Sequence, residues 1–237
     1  MPLAAHGVTH TGRRKTNEDA MLVDSSLGLF VVADGMGGHN AGEVASAIAV
    51  RTVHEFLRTA PTPSEAALDD AFARANEEVF NASAASAEYE GMGTTMVAVL
   101  VLPGEGRMLV GSVGDSRVYV WHDRTLTQLT RDDSWVSRVL PDDVSPEDAQ
   151  RHPMRHVLTK VVGLREDVEP AVASASLQRG DVLVLCSDGL HGSLHDARIA
   201  ETVAGAMTVK EIAERLVEQA LAGGATDNVT VVVVRSE

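Results

Sequence analysis

An apolar run that ends on a carboxylate and passes straight into a glycine-rich bend, Gly28 to Glu43 (GLFVVADGMGGHNAGE), most limits what this chain can become. Leu29 to Ala33 is unbroken, valine-rich and of strand length, which predicts a strand buried on both faces. Asp34 then stands where that strand surfaces. Gly35, Gly37 and Gly38 let the backbone bend and approach a ligand closely, because glycine takes positive φ without a Cβ clash. Asn40 with Glu43 fits the pattern that caps and opens a helix. An isolated Asp-Gly is an ordinary turn dipeptide, so the stretch gains meaning only if partners stand elsewhere.

Three partners do. Arg107 to Gly114 (RMLVGSVG) leads into Asp115, Asp181 to Ser187 (DVLVLCS) leads into Asp188 and Gly189, and Asp227 precedes Asn228 to Val234 (NVTVVVV). In an antiparallel sheet the start of one strand lies beside the end of its neighbour, so these carboxylates are expected on one rim. Gathered without cations they would repel one another, and such a cluster persists only if protonated or if it binds metal. All-oxygen donors suit hard divalent cations, and Mg²⁺ or Mn²⁺ keep several waters in such sites.

The whole chain, 1–237, reads as one domain: 44% hydrophobic and 23% charged residues over 237 positions is an ordinary globular balance. A net charge of −14 argues against nucleic acid or an anionic membrane as partner. No apolar run approaches the roughly 18 residues of a membrane span, and the first residues lack the pattern of a signal peptide. With one cysteine, Cys186, no internal disulfide forms; a cytoplasmic, monomeric protein is the expectation.

An acidic chain that handles phosphate must concentrate its positive charge locally, and Arg13, Arg14 and Lys15 do so just before Glu18 and Asp19. An arginine fork suits phosphate, offering paired hydrogen bonds where lysine offers a point charge. Beyond Asn40, Ala41, Val44, Ala45, Ile48, Ala49, Val53 and Leu57 recur at helical spacing, and a second helix follows a cap at Ser64. Thr94 to Leu102 reads as one strand, and Arg117 to Trp121 with Thr125 to Thr130 as a hairpin. Arg131 to His156 is polar, acidic and proline-bearing, with a short helix signal at Ser145 to Asp148; an irregular stretch of this length predicts a flap over the site. Thr208 with Glu211 caps a last helix, stopped at Gly223 and Gly224.

Competing motifs fail on specific positions. Glu43 stands where a P-loop requires lysine, and Asn40 where the dinucleotide fingerprint requires its last glycine. Gly114 to Val118 lacks the final glycine of a serine-hydrolase elbow. Gly192 stands where a cysteine phosphatase needs arginine, leaving Cys186 a small buried hydrophobe. His6 and His10 share one face of an expected strand and are further candidates for metal.

Arg14 to Asp19 (RKTNED), Asp34 to Glu43 (DGMGGHNAGE), Gly91 to Thr95 (GMGTT), Gly114 to Arg117 (GDSR), Ser187 to Gly189 (SDG) and Thr226 to Val229 (TDNV) together resemble the successive motifs of the PPM, or type 2C, metal-dependent protein serine/threonine phosphatases, in their compact bacterial form. The resemblance runs almost from end to end in the family's order. It implies an α+β fold, a four-layer α-β-β-α sandwich of two antiparallel sheets flanked by helices. It implies that Asp34 bridges two cations, with Gly35 ligating through its carbonyl, Asp188 and Asp227 completing the pair, and Asp115 with Asp188 holding a third ion. Arg14 matches the phosphate-binding arginine, and Glu18 and Asp19 match groups that hold metal-bound waters and the loop. The implied chemistry is attack of a metal-activated water on phosphoserine or phosphothreonine, without a covalent enzyme intermediate. His39 is the candidate proton donor to the leaving oxygen. Eukaryotic members carry histidine directly after Asp-Gly, where this chain has Met36, and His156 stands where some bacterial members carry serine. Phosphorylated proteins, including kinases and their substrates, are the implied partners. The other classes weighed are an inactive phosphoprotein-binding regulator of this fold, which retention of every metal-position aspartate disfavours, and a hydrolase of small phosphate esters.

Overall fold

The computed structural model describes residues 2–37, 41–139, 144 and 152–237. In chain order the strands and helices are β1 Leu3–His10, β2 Asp19–Asp24, β3 Leu29–Met36, α1 Ala41–Thr59, α2 Glu65–Ala85, β4 Gly93–Thr94, β5 Met96–Leu102, β6 Arg107–Val113, β7 Arg117–His122, β8 Thr125–Gln128, α3 Trp135–Val139, β9 Ala171–Ser176, β10 Val182–Cys186, α4 Asp188–His191, α5 Asp196–Val203, α6 Val209–Ala222 and β11 Val229–Ser236.

Alternate residues of a strand point to opposite faces, so an unbroken apolar run needs cover on both sides. In β3, Phe30 and Val32 enter one apolar cluster and Leu29, Val31 and Ala33 another. In β10 and β11 the same split sends Leu183, Leu185, Val232 and Val234 into the first of these, while Val184, Cys186, Val231 and Val233 enter a third. Three apolar layers require four structural ones. The outer two are α1 and α2 on one side and α5 and α6 on the other. The inner two are antiparallel sheets, one in the order β1-β11-β10-β7-β8 and one in the order β2-β3-β5-β6-β9 with β4 added to β3. The four-layer sandwich is therefore the observed architecture.

Most expected elements are present. Ser64 caps α2, its hydroxyl accepting the Ala67 N–H at 3.1 Å. Thr208 and Glu211 form a reciprocal capping box that opens α6. Two expectations need correction. The strand expected over Leu29 to Ala33 continues through Asp34 to Met36, because Gly35 and Met36 find a partner strand in β4. The strand expected over Thr94 to Leu102 is broken at Thr95, whose N–H turns to the Asp34 carbonyl at 2.8 Å.

The flap expected over 131–156 is described at its two ends. Trp135 N–H donates to the Val157 carbonyl at 2.7 Å, Thr159 N–H to the Asp133 carbonyl at 2.7 Å, and the Trp135 and His152 rings stack with centroids 5.2 Å apart. The helix signal at Ser145 to Asp148 and the cap at Asn40 lie outside the described residues.

Candidate active site

Asp34 sits within β3 opposite Asp19 of β2, and its backbone is gripped by threonines. Its N–H donates to Thr95 Oγ1 at 3.0 Å. Its carbonyl accepts the Thr94 hydroxyl at 2.9 Å and the Thr95 N–H. Thr95 Oγ1 in turn shares a hydrogen bond of 2.7 Å with the Ser116 hydroxyl. Position 35 tolerates no side chain, since a Cβ there would collide with the Gly42 and Glu18 carbonyls.

Asp115 lies in the short crossing from β6 of one sheet to β7 of the other. Gly114 before it adopts φ +98, and its N–H donates to Asp133 at 3.2 Å. The Asp115 carbonyl lies 2.9 Å from His191 Nε2; a carbonyl only accepts, so Nε2 carries the hydrogen. Burial lowers the His191 pKa to about 4, helped by the nearby Arg117 charge, so the ring is neutral. Arg117 itself is tied bidentately to Asp132 at 2.9 and 2.7 Å. Asp188 opens α4 two residues beyond the end of β10, and Asp227 stands two residues before the start of β11. Ser187 donates its hydroxyl to Asp19 Oδ2 at 2.8 Å. Arg14 Nη2 pairs with Asp227 Oδ2 at 2.6 Å, with 59% of the arginine side chain exposed.

These groups meet at one end of the sandwich, around a cleft of about 620 Å³. Arg14, Glu18, Asp34, Gly35, Asp115, Asp188 and Asp227, all anticipated from sequence, line it, as do His156, Thr95 and Asn228. Asp19 stands at its margin through Asp34 and Ser187. One geometric expectation is revised: the carboxylates come from the rims of both sheets, Asp34 from one and Asp188 and Asp227 from the other. His6 and His10 lie on β1 away from the cleft lining, and His10 Nδ1 accepts the Gly12 N–H at 2.9 Å. His39 lies outside the described residues. His156 Nδ1 stands 4.0 Å from Asp188 Oδ2 at the cleft mouth.

Burial dominates the electrostatics. It pushes Asp34 well above the usual carboxylate range, reinforced by Asp19, Asp188, Asp115 and Asp227 in that order. It raises Asp115 to about 8, with Asp188 adding to the effect, and raises Asp188, with Asp227 adding to it. Asp19 rises to about 6 for the same reason, offset by hydrogen bonds from Thr230 and Ser187. Among the described residues, Asp19 Oδ1 and Asp188 Oδ1 are buried side-chain oxygens without a hydrogen-bond partner. Unpaired buried carboxylate oxygens are costly unless a cation meets them. Also among the described residues, no three His, Cys, Asp or Glu side chains form a ligand cluster on their own. A bound ion would therefore draw on backbone oxygen and water as well, which suits Mg²⁺ or Mn²⁺. The donor set fits divalent cations.

Four residues of the site escaped the sequence reading. Thr95, Ser187 and Asn228 sat inside motifs without a role; His191 is an ordinary side chain whose partner, the Asp115 carbonyl, lies far away in sequence.

A four-layer sandwich with an acidic cleft between its sheets is the class that fold and site define, and the comparisons narrow it. Residues 6–223 match the family model of protein phosphatase 2C. The chain is 38% identical over 225 residues to the serine/threonine protein phosphatase PstP of Mycobacterium tuberculosis, an alignment covering 93% of this chain and 42% of PstP. It is 34% identical to the serine/threonine phosphatase stp of Listeria monocytogenes, covering 88% of this chain and 84% of that protein. The solved catalytic domain of PstP in complex with two manganese ions superposes with a TM-score of 0.89 at 35% identity, covering 98% of this chain and 97% of that one. The chain belongs to the protein phosphatase 2C family. It spans under half the length of M. tuberculosis PstP.

Proposed function

We propose that the chain, 1–237, is one catalytic domain that hydrolyses phosphoserine and phosphothreonine in proteins with the help of divalent cations. The observation that carries this reading is the cleft itself: carboxylates from both sheets, with one oxygen each of Asp19 and Asp188 buried and unpaired, and one arginine at the mouth. The family and the relatives named serine/threonine phosphatases support it.

Asp34, Asp188, Asp227 and the Gly35 carbonyl would hold two Mg²⁺ or Mn²⁺ ions, as PstP holds two manganese ions, and Asp115 with Asp188 a third. Bound cations supply Lewis acidity, neutralising phosphate charge and acidifying water for in-line attack on phosphorus. Arg14 presents a planar set of five N–H donors, of which Asp227 engages one edge, leaving others for phosphate oxygens. Its fixed positive charge pairs with the phosphate oxygens of bound substrate and transition state alike, which positions phosphorus for in-line attack. Glu18 and Asp19 hold the cleft wall and its waters. His39 is proposed to protonate the leaving seryl or threonyl oxygen. No helix among the described residues is long and apolar enough to cross a membrane; a monomer acting in the cytoplasm on kinases and their substrates is part of the proposal.

Release of phosphate from a phosphothreonine peptide tests it, with Mn²⁺, with Mg²⁺, with chelator, and with Asp188→Ala in parallel. Metal-dependent turnover that falls by about 100-fold or more in the variant is expected, the scale of losing one stabiliser of transition-state charge. Absence of turnover under every metal would overturn the enzymatic reading, and a rate strongly favouring small phosphate esters over phosphoprotein would overturn the substrate class.

A further inference from the structure

Asn228 is 4% exposed, and its side-chain amide spends all its bonds on one segment. Oδ1 accepts the Glu18 N–H at 2.8 Å. Nδ2 donates to the Thr11 carbonyl at 2.9 Å and to the Thr16 carbonyl at 2.9 Å. Thr11 and Glu18 are the two ends of the loop that carries Arg13, Arg14 and Lys15. The Thr11 carbonyl also accepts the Arg14 N–H at 3.2 Å, which closes a turn onto the arginine. Exchanging the amide oxygen and nitrogen would set donors against an N–H and an oxygen against two carbonyls, so the orientation is unique. Gly12 brings the loop down on the chain before β11 from the other side: at φ +61, a Cβ there would collide with the Asp227 carbonyl.

We propose that Asn228 is the positioning residue for Arg14, stapling both ends of its loop to the chain just before β11 so that the guanidinium stands at the cleft mouth. This rests on the reading of the cleft as a phosphatase site with Arg14 on phosphate. The Asn228 backbone N–H, which donates to Asp227 Oδ1 at 2.8 Å, survives side-chain truncation, so Asp227 keeps its own support.

The test is a double-mutant cycle on a phosphothreonine peptide at saturating Mn²⁺: wild type, Arg14→Ala, Asn228→Ala and the double variant, each with its melting temperature. Asn228→Ala is expected to raise KM about 10-fold with kcat within about threefold, as displacement of a substrate-positioning group does. The double variant should match Arg14→Ala within about twofold, because the staple then has nothing left to position. Amide hydrogen exchange should quicken over residues 12–18 in Asn228→Ala while β11 stays protected. Additive losses, a fall in kcat with unchanged KM, unaltered exchange in the loop, or an inert Arg14→Ala would each overturn the assignment. A wild type without turnover would instead sink the phosphatase reading, leaving the exchange result to decide the staple. Should Asn228→Ala not fold, Asn228→Ser, which keeps one donor, replaces it, and failure of both would make Asn228 a residue of the fold and overturn the proposal.

Discussion

Thr95 shows how much of the position of Asp34 is set by neighbours that carry no charge. Its hydroxyl accepts the Asp34 N–H and shares a bond with Ser116, both inside the protein. Thr95→Val keeps the shape and removes the acceptor, orphaning a backbone donor at a cost of about 1–3 kcal/mol. For a chain of this size each kcal/mol corresponds to about 2–4 °C, so thermal denaturation in chelator should show a clear drop, largely recovered by Thr95→Ser. An unchanged melting temperature in Thr95→Val would show that water replaces the hydroxyl. The aspartates of this site were legible in the sequence because a charge ending an apolar run is costly and conspicuous. Thr95 was not, since a threonine inside TTMVAVLVL is ordinary strand composition, and the break it makes depends on the Asp34 carbonyl 61 positions back.

The hairpin of β2 and β3 turns on a carboxylate at the end of the sandwich remote from the cleft. Asp24 Oδ1 accepts the Ser26 hydroxyl at 2.6 Å and the Ser26 and Leu27 N–H groups, each at 3.0 Å, while Oδ2 meets His54 Nε2 of α1 at 3.0 Å. These bonds, the Ser26 hydroxyl first and then the Leu27 N–H, lower the Asp24 pKa to about 2. A carboxyl whose folded pKa lies below its unfolded value stabilises the protein above the unfolded value, and that contribution fades as pH falls from about 4 through about 2. Asp24→Asn should therefore cost about 1 kcal/mol at neutral pH, discounted for partial exposure, and almost nothing near pH 2. Urea denaturation at the two pH values measures this, and an equal cost at both would place the effect in turn geometry instead of charge. Elements with local signals, such as the capping box of α6, could be read from sequence. The edge strand β9 (AVASAS) could not, because small residues on an exposed edge give little periodic contrast, and α5 escaped because eight residues are too few for a helical period to stand out.

Across the whole molecule, the site is a product of the sandwich and of no single element. Arg14 and Asn228 stand 214 positions apart, and Asp115 lies where the chain crosses between sheets. The sequence placed the carboxylates on a single rim because neighbouring strands are easily inferred while membership of one sheet or the other is not a local property. This assembly has a thermodynamic consequence: the unfolded chain scatters the donors, so a cation binds the native state far better than the denatured one. At about 100 times its dissociation constant, Mn²⁺ should add about 2.7 kcal/mol and raise the melting temperature by about 5–10 °C, reversed by chelator. Asp188→Ala should lose most of that increment. Its metal-free form should melt no lower than the metal-free wild type, because a buried like charge with an unpaired oxygen has been removed. Differential scanning calorimetry on both proteins, with and without Mn²⁺, separates the two effects. A wild type indifferent to Mn²⁺ would show that the acidic cleft does not hold the ion. A metal-free Asp188→Ala that melts far below wild type would make Asp188 a support of α4 rather than a strained ligand awaiting charge.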